Sequence, residues 1–123
     1  MRWVALGGIV LAAMLGLARG AQAQDPSAER VFRSQYGRCH SPQPCGTIIG
    51  PRLFGVVGRH SGIVPGFRYC EANWHSGLTR DAATLDRHLA APGKVVPGTL
   101  MTCPGLKDPK QRAGLIAYLS TLR

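Results

Sequence analysis

An all-α domain with about three main helices and long loops is what this 123-residue sequence predicts. Three observations point there. Asp25-Pro26 and Asp108-Pro109 each place an acidic N-cap before a proline at the first helical position, a pairing that pre-forms a helix start. Apolar residues then recur three and four apart, whereas no segment alternates apolar and polar as a half-buried strand would. Finally, about forty residues, 37–78, are glycine-rich and without period. Irregular stretches of that length are uncommon in a compact domain unless they wrap something or carry function.

In chain order, Met1-Arg2-Trp3 is followed by an apolar run from Val4 to Ala18 and by Ala21-Gln22-Ala23. A basic start, a short apolar stretch and an A-x-A ending describe a secretory signal peptide over 1–23, leaving a domain over 24–123. The run is short for a membrane span, which needs about 20 apolar residues. The first helix runs from Pro26 to about Gln35, with Val31 and Phe32 on its apolar face. The second follows Thr79, carries Leu85 and Leu89 four apart, and stops before Pro92-Gly93. The stretch from Pro92 to Lys107 is irregular. The third helix begins at Asp108-Pro109 and presents Leu115, Ile116, Leu119 and Leu122 as a stripe, with Gly114 open to close approach by another helix.

Composition narrows the function. One domain of this length excludes a multidomain enzyme, and 45% apolar residues exclude a disordered tail. Loss of Arg2 and Arg19 with residues 1–23 leaves thirteen basic against six acidic residues, a formal charge of +7. Such a surface attracts acidic proteins or an anionic membrane surface. Nucleic acid is excluded, since no recognition helix or interleaving of aromatics with basic residues is present. Export implies the bacterial periplasm or another oxidising space, so a disulfide among Cys45, Cys70 and Cys103 stays open, as do free buried thiols.

The chemistry begins at Tyr36-Gly37-Arg38-Cys39-His40. In C-x-x-C-H haem attachment, two thiols bond the porphyrin and the histidine binds iron; here the first thiol is replaced by Tyr36. Further on stand Gly50-Pro51-Arg52-Leu53-Phe54-Gly55-Val56-Val57-Gly58-Arg59, then Gly66-Phe67-Arg68-Tyr69 with Ala72-Asn73, then Pro97-Gly98-Thr99-Leu100-Met101, then Arg112 with Leu115-Ile116-Ala117-Tyr118-Leu119. In that order and spacing, these blocks resemble class I, mitochondrial-type soluble cytochrome c over residues 26–123.

The resemblance implies a small cytochrome c fold wrapped around one haem c. His40 would be the proximal iron ligand, its second ring nitrogen bonded to the Pro51 carbonyl, and Met101 the distal ligand. A His/Met pair raises the reduction potential, and two protein ligands favour electron transfer over enzymatic chemistry. Arg59 would neutralise a haem propionate, with Tyr69, Asn73 and Thr99 as hydrogen-bond partners. Cys39 would form a single thioether, as in some flagellated protists. The resemblance also marks departures: Arg80 stands where the family has a propionate-contacting Trp, His88 where it has Tyr, and Cys103 where it has an aromatic shield. His60, His75 and His88 show no metal-ligand spacing and read as surface or packing residues, though at the family's Tyr position near the Met ligand His88 could also tune the iron or compete for it. The function implied is a monomeric periplasmic electron carrier serving acidic redox partners. The alternative is a degenerate module without covalent haem, acting as a basic interaction or loosely haem-binding protein.

Overall fold

The computed structural model describes residues 25–123, so the signal peptide expected over 1–23 lies outside the described residues. Five helices follow in chain order: α1 (Pro26–Gln35), α2 (Glu71–Trp74), α3 (Ala82–Ala90), α4 (Pro92–Val95) and α5 (Pro109–Ser120). The three long ones share a start signal. Asp25 accepts from the Ser27 amide, Asp81 from Thr84 and Asp108 from Lys110, each at 2.8 Å. Each bond satisfies one of the orphan donors that every helix start leaves open.

Burial explains the packing. Phe32 on α1 and Leu115 and Leu119 on α5 are all but inaccessible and meet Leu89 of α3 in one core cluster with Tyr36, Val56 and Leu106. α1 packs on α5, and α5 on α3. The Phe32 and Tyr118 rings lie 5.5 Å apart at 49°, a tilted contact of the kind aromatic quadrupoles favour. At Gly114 the closest side chain to an added Cβ would be Ala28, 3.7 Å away. α1 does approach there, as expected, though an alanine would meet only ordinary contact. Arg112 ties α5 to its neighbours, bonding Asp86 of α3 at 2.7 Å and the carbonyls of Leu106 and Lys107 at 3.0 and 2.8 Å.

Two short helices correct the sequence reading. α2 lies inside the stretch 37–78, and α4 inside the stretch taken as irregular from Pro92. A four-residue turn is too brief to show a period, and Pro92 opens α4 although it also marks the end of α3. α3 itself begins at Ala82. Thr79 is instead paired with His60 in an antiparallel bridge, the single bridge among the described residues. No strand forms there, and the all-α architecture stands. Loop 96–107 folds back on α3 through the Leu106 amide and the Leu89 carbonyl at 2.7 Å. Gly105 permits this, having φ +96° and no Cβ to overlap the Ala90 carbonyl.

Candidate functional site

Where α1 ends, the chain turns sharply. The Tyr36 and Gly37 amides both donate to the Phe32 carbonyl, and the Cys39 and His40 amides both donate to Tyr36. The incoming segment is then clamped from outside, Gly50 donating to Cys39 at 2.6 Å and Leu53 to Ser41 at 2.8 Å. His40 is 7% exposed. Its Nδ1 lies 2.7 Å from the Pro51 carbonyl oxygen. A carbonyl can only accept, so Nδ1 carries the proton and the other nitrogen keeps its lone pair. Gly50 makes room for this ring, since a Cβ there would overlap the imidazole. Burial holds the His40 pKa down, the Pro51 bond opposing and Arg59 reinforcing the effect.

The imidazole faces a cavity of about 380 Å³. Leu53, Val56, Leu85, Leu89 and Leu119 supply apolar wall, and Met101 lines the same space. Met101 sits in a helix-free segment, its amide bonded to Thr99 Oγ1 at 3.2 Å. Of the remaining expected residues, Cys39, Arg59, Tyr69, Asn73 and Thr99 all line this one cavity. Their polar groups are partly engaged. Arg59 donates to the Phe54 and Arg52 carbonyls at 3.0 and 2.9 Å, Tyr69 accepts from the Val64 amide at 3.1 Å, and Asn73 Oδ1 accepts from Arg80 at 3.1 Å.

Two half-buried guanidiniums, Arg59 and Arg80, border the cavity together with the exposed Arg68, and no carboxylate among the described residues lines it. Burial pulls both arginine pKa values down, and the charge of Arg59 lowers Arg80 further. A pair of half-buried cations that no carboxylate neutralises is a receptor for anionic groups. Three buried polar atoms of residues lining this space also lack partners: His88 Nδ1, the Tyr36 hydroxyl and Ser61 Oγ. Burial drives the His88 pKa down to about 4, aided by Arg80 and His40. Burial pushes the Tyr36 phenol up to about 12, with Cys103 adding to it.

These residues fit a haem: apolar walls for a macrocycle, an imidazole and a thioether for iron, and guanidiniums for its carboxylates. Residues outside the expected set now have positions. Tyr36, which replaces a thiol in sequence, packs its ring into the core. Arg80 and His88, legible in sequence as departures from the family pattern, both line the cavity. The Cys70 thiol lies against the Leu100 and Asn73 amides, which pull its pKa down. All four cysteines are free, so no disulfide joins Cys45, Cys70 and Cys103. His60 and His75 are surface residues, bonded to Thr79 at 2.9 Å and Glu71 at 3.0 Å.

Known proteins show the same arrangement of sequence. No family model matches the chain. Cytochrome c2 of Rhodopila globiformis is 49% identical over 100 residues, covering 80% of this chain and 94% of that protein. The chain belongs to the cytochrome c family. Cytochrome c of Euglena viridis is 42% identical, covering 77% of this chain and 93% of its own. The solved structure of cytochrome cH from Methylobacterium extorquens superposes with a TM-score of 0.71 at 43% identity, covering 77% of this chain and 95% of its own. Cytochromes c carry one covalently attached haem c and transfer electrons rather than transform substrates, and so this chain is an electron-transfer protein.

Proposed function

We propose that the mature chain is a periplasmic electron carrier whose haem iron is held by His40 and Met101 and whose porphyrin is bonded through Cys39 alone. The observation that carries this reading is the His40 Nδ1 to Pro51 bond at 2.7 Å, which leaves a lone pair directed from a buried ring in a cavity that Met101 also lines. Cys39 is the single cysteine between Tyr36 and His40, and it borders that cavity.

Haem supplies an iron that cycles between two oxidation states. This chain's residues set the conditions. The Pro51 carbonyl fixes the orientation and tautomer of His40 and raises its basicity. The thioether of Met101 favours the ferrous state. Arg59 and Arg80 supply fixed positive charge, with Asn73 holding Arg80 in place. Two protein ligands leave no vacant position, so substrates are excluded and reorganisation stays small. Ile49 and Leu100 line the cavity yet are 74% and 79% exposed, which marks an apolar lip where a partner docks. The +7 charge of residues 24–123 steers acidic redox proteins to a monomer, while a small interface keeps the complex brief. Cleavage after Ala23 delivers the domain to the periplasm; an anionic membrane surface is a further docking site for the same charge.

Intact mass of the exported protein tests the attachment. The expected result is residues 24–123 plus one haem, with haem stain surviving a denaturing gel and a far-red absorption from the Met–iron bond. Haem that leaves on denaturation would replace the thioether with the loosely binding module. A colourless protein from a haem-replete host would overturn the carrier altogether.

A further inference from the structure

The molecule holds a second imidazole that the proposed ligand set does not use. His88 lies in the last turn of α3, between the cavity-lining Leu85 and Leu89, and is 6% exposed. Its Nδ1 is sealed from solvent with no hydrogen-bond partner. Buried polar groups are almost always paired, and an orphan calls for an explanation. His88 also borders the same cavity as His40. Burial, reinforced by the charge of Arg80, keeps the imidazole neutral, which is the form that binds metals.

The two sides of this choice are held differently. His88 is carried by a capped nine-residue helix whose neighbours are in the core. Met101 stands in a segment without regular structure, between Leu100, which is 79% exposed, and residues 102–105, none of which is buried. A segment with few buried contacts opens at low cost, whereas a packed helix does not.

We propose that His88 is a reserve iron ligand, taking the position opposite His40 whenever Met101 is displaced. In the exchange one sulfur–iron bond breaks and one nitrogen–iron bond forms. The imidazole enters neutral, so no proton or electron moves. Because thioether ligation raises the potential, the exchanged form is the lower-potential one. The proposal rests on haem binding through His40, and its test separates the two.

The test uses ferric holoprotein and reads the spin state by electron paramagnetic resonance. Met101→Leu, which conserves side-chain volume, is expected to remain low-spin with two nitrogen ligands and to lack the far-red band. Adding His88→Leu to it is expected to give a high-spin iron that binds added imidazole at least tenfold more tightly than Met101→Leu does. A high-spin Met101→Leu protein, or a low-spin signal that survives without His88, would overturn the proposal. Should Met101→Leu fail to retain haem, the wild-type protein is titrated with guanidinium until the far-red band bleaches. A low-spin signal that persists there, and disappears in His88→Leu, supports His88; one that disappears in both proteins refutes it. A wild-type protein with no far-red band would count against Met101 as the resting ligand, whatever the variants show.

Discussion

The two segments that bring ligands to the cavity are built to opposite standards. Residues 39–53 are clamped, with the His40 ring buried, bonded to Pro51 at 2.7 Å and seated against the bare Gly50, and with the backbone pinned at Cys39 and Ser41. Residues 97–101, beyond the buried Val96, rest on a turn from Thr99 to Val96, on the Met101 to Thr99 bond at 3.2 Å and on the Cys70 thiol against the Leu100 amide. Both contribute to one cavity, yet the first buries its candidate ligand and the second leaves Met101 only partly covered. On the proposed ligand set, the difference separates a permanent attachment from a ligand that can be exchanged. It also means that stability and iron chemistry respond to different substitutions.

The largest effect should come from the root of the clamped segment. Phe32 is 2% exposed, packs on Tyr118, and its carbonyl receives the two amides that turn the chain toward Cys39. Phe32→Ala should cost about 3–5 kcal/mol, read as a lower denaturant midpoint and as reduced holoprotein yield. If the yield fell with no change in stability, the clamp would not depend on the core.

Acid should act next. The folded His88 pKa is about 4 against an ordinary 6.5, so below 6.5 the unfolded chain takes up a proton that the folded one refuses. Stability is therefore complete above pH 6.5, declines as pH falls to about 4, and changes no further on this account below that. The loss is about 3 kcal/mol. Urea melts across this range should show the decline, and His88→Leu should flatten it.

Gly50→Ala tests the clamp at one atom. The added methyl would overlap the His40 ring, and overpacking of this kind costs about 1–3 kcal/mol. The far-red Met–iron band and the imidazole resonances should both shift, because the ring must rotate away from Pro51. Unchanged resonances would mean the loop gives way instead.

How much of this was legible in the sequence follows from the same contrast. The long helices announced themselves through Asp25-Pro26, Asp108-Pro109 and the apolar spacing of Leu85, Leu89, Leu115 and Leu119, because caps and periodicity are local signals. The proposed ligands His40 and Met101 came from family blocks, as did the Pro51 partner, now seen at 2.7 Å. What stayed hidden were features made by the return of distant chain: the short helices α2 and α4, and the burial of His88. No local pattern encodes that a histidine after Arg87 will be sealed while His75, after Trp74, stays exposed. Tyr36 is the instructive case. Its sequence context marks only a missing thiol, whereas the fold uses the ring as core.

The smallest effect should lie in the loose segment, at Thr99. Its Oγ1 accepts the Met101 amide at 3.2 Å, and its hydroxyl also meets the Cys70 thiol. Thr99→Val keeps the shape and removes both bonds. A long neutral hydrogen bond in a partly buried place contributes about 0.5–1 kcal/mol, so the melting midpoint should barely move. The far-red band is the sensitive readout, since an untethered Met101 leaves the iron more often. Thr99→Ser, which retains the hydroxyl, should restore it. The Cys70 thiol supplies an internal control. Its pKa is depressed chiefly by the Leu100 and Asn73 amides, with Thr99 the weakest of the contributors, so its alkylation rate should rise with pH almost as in wild type. A large change in that profile would mean that Thr99→Val had moved the Leu100 backbone itself, and that residues 97–101 are held as firmly as the His40 segment.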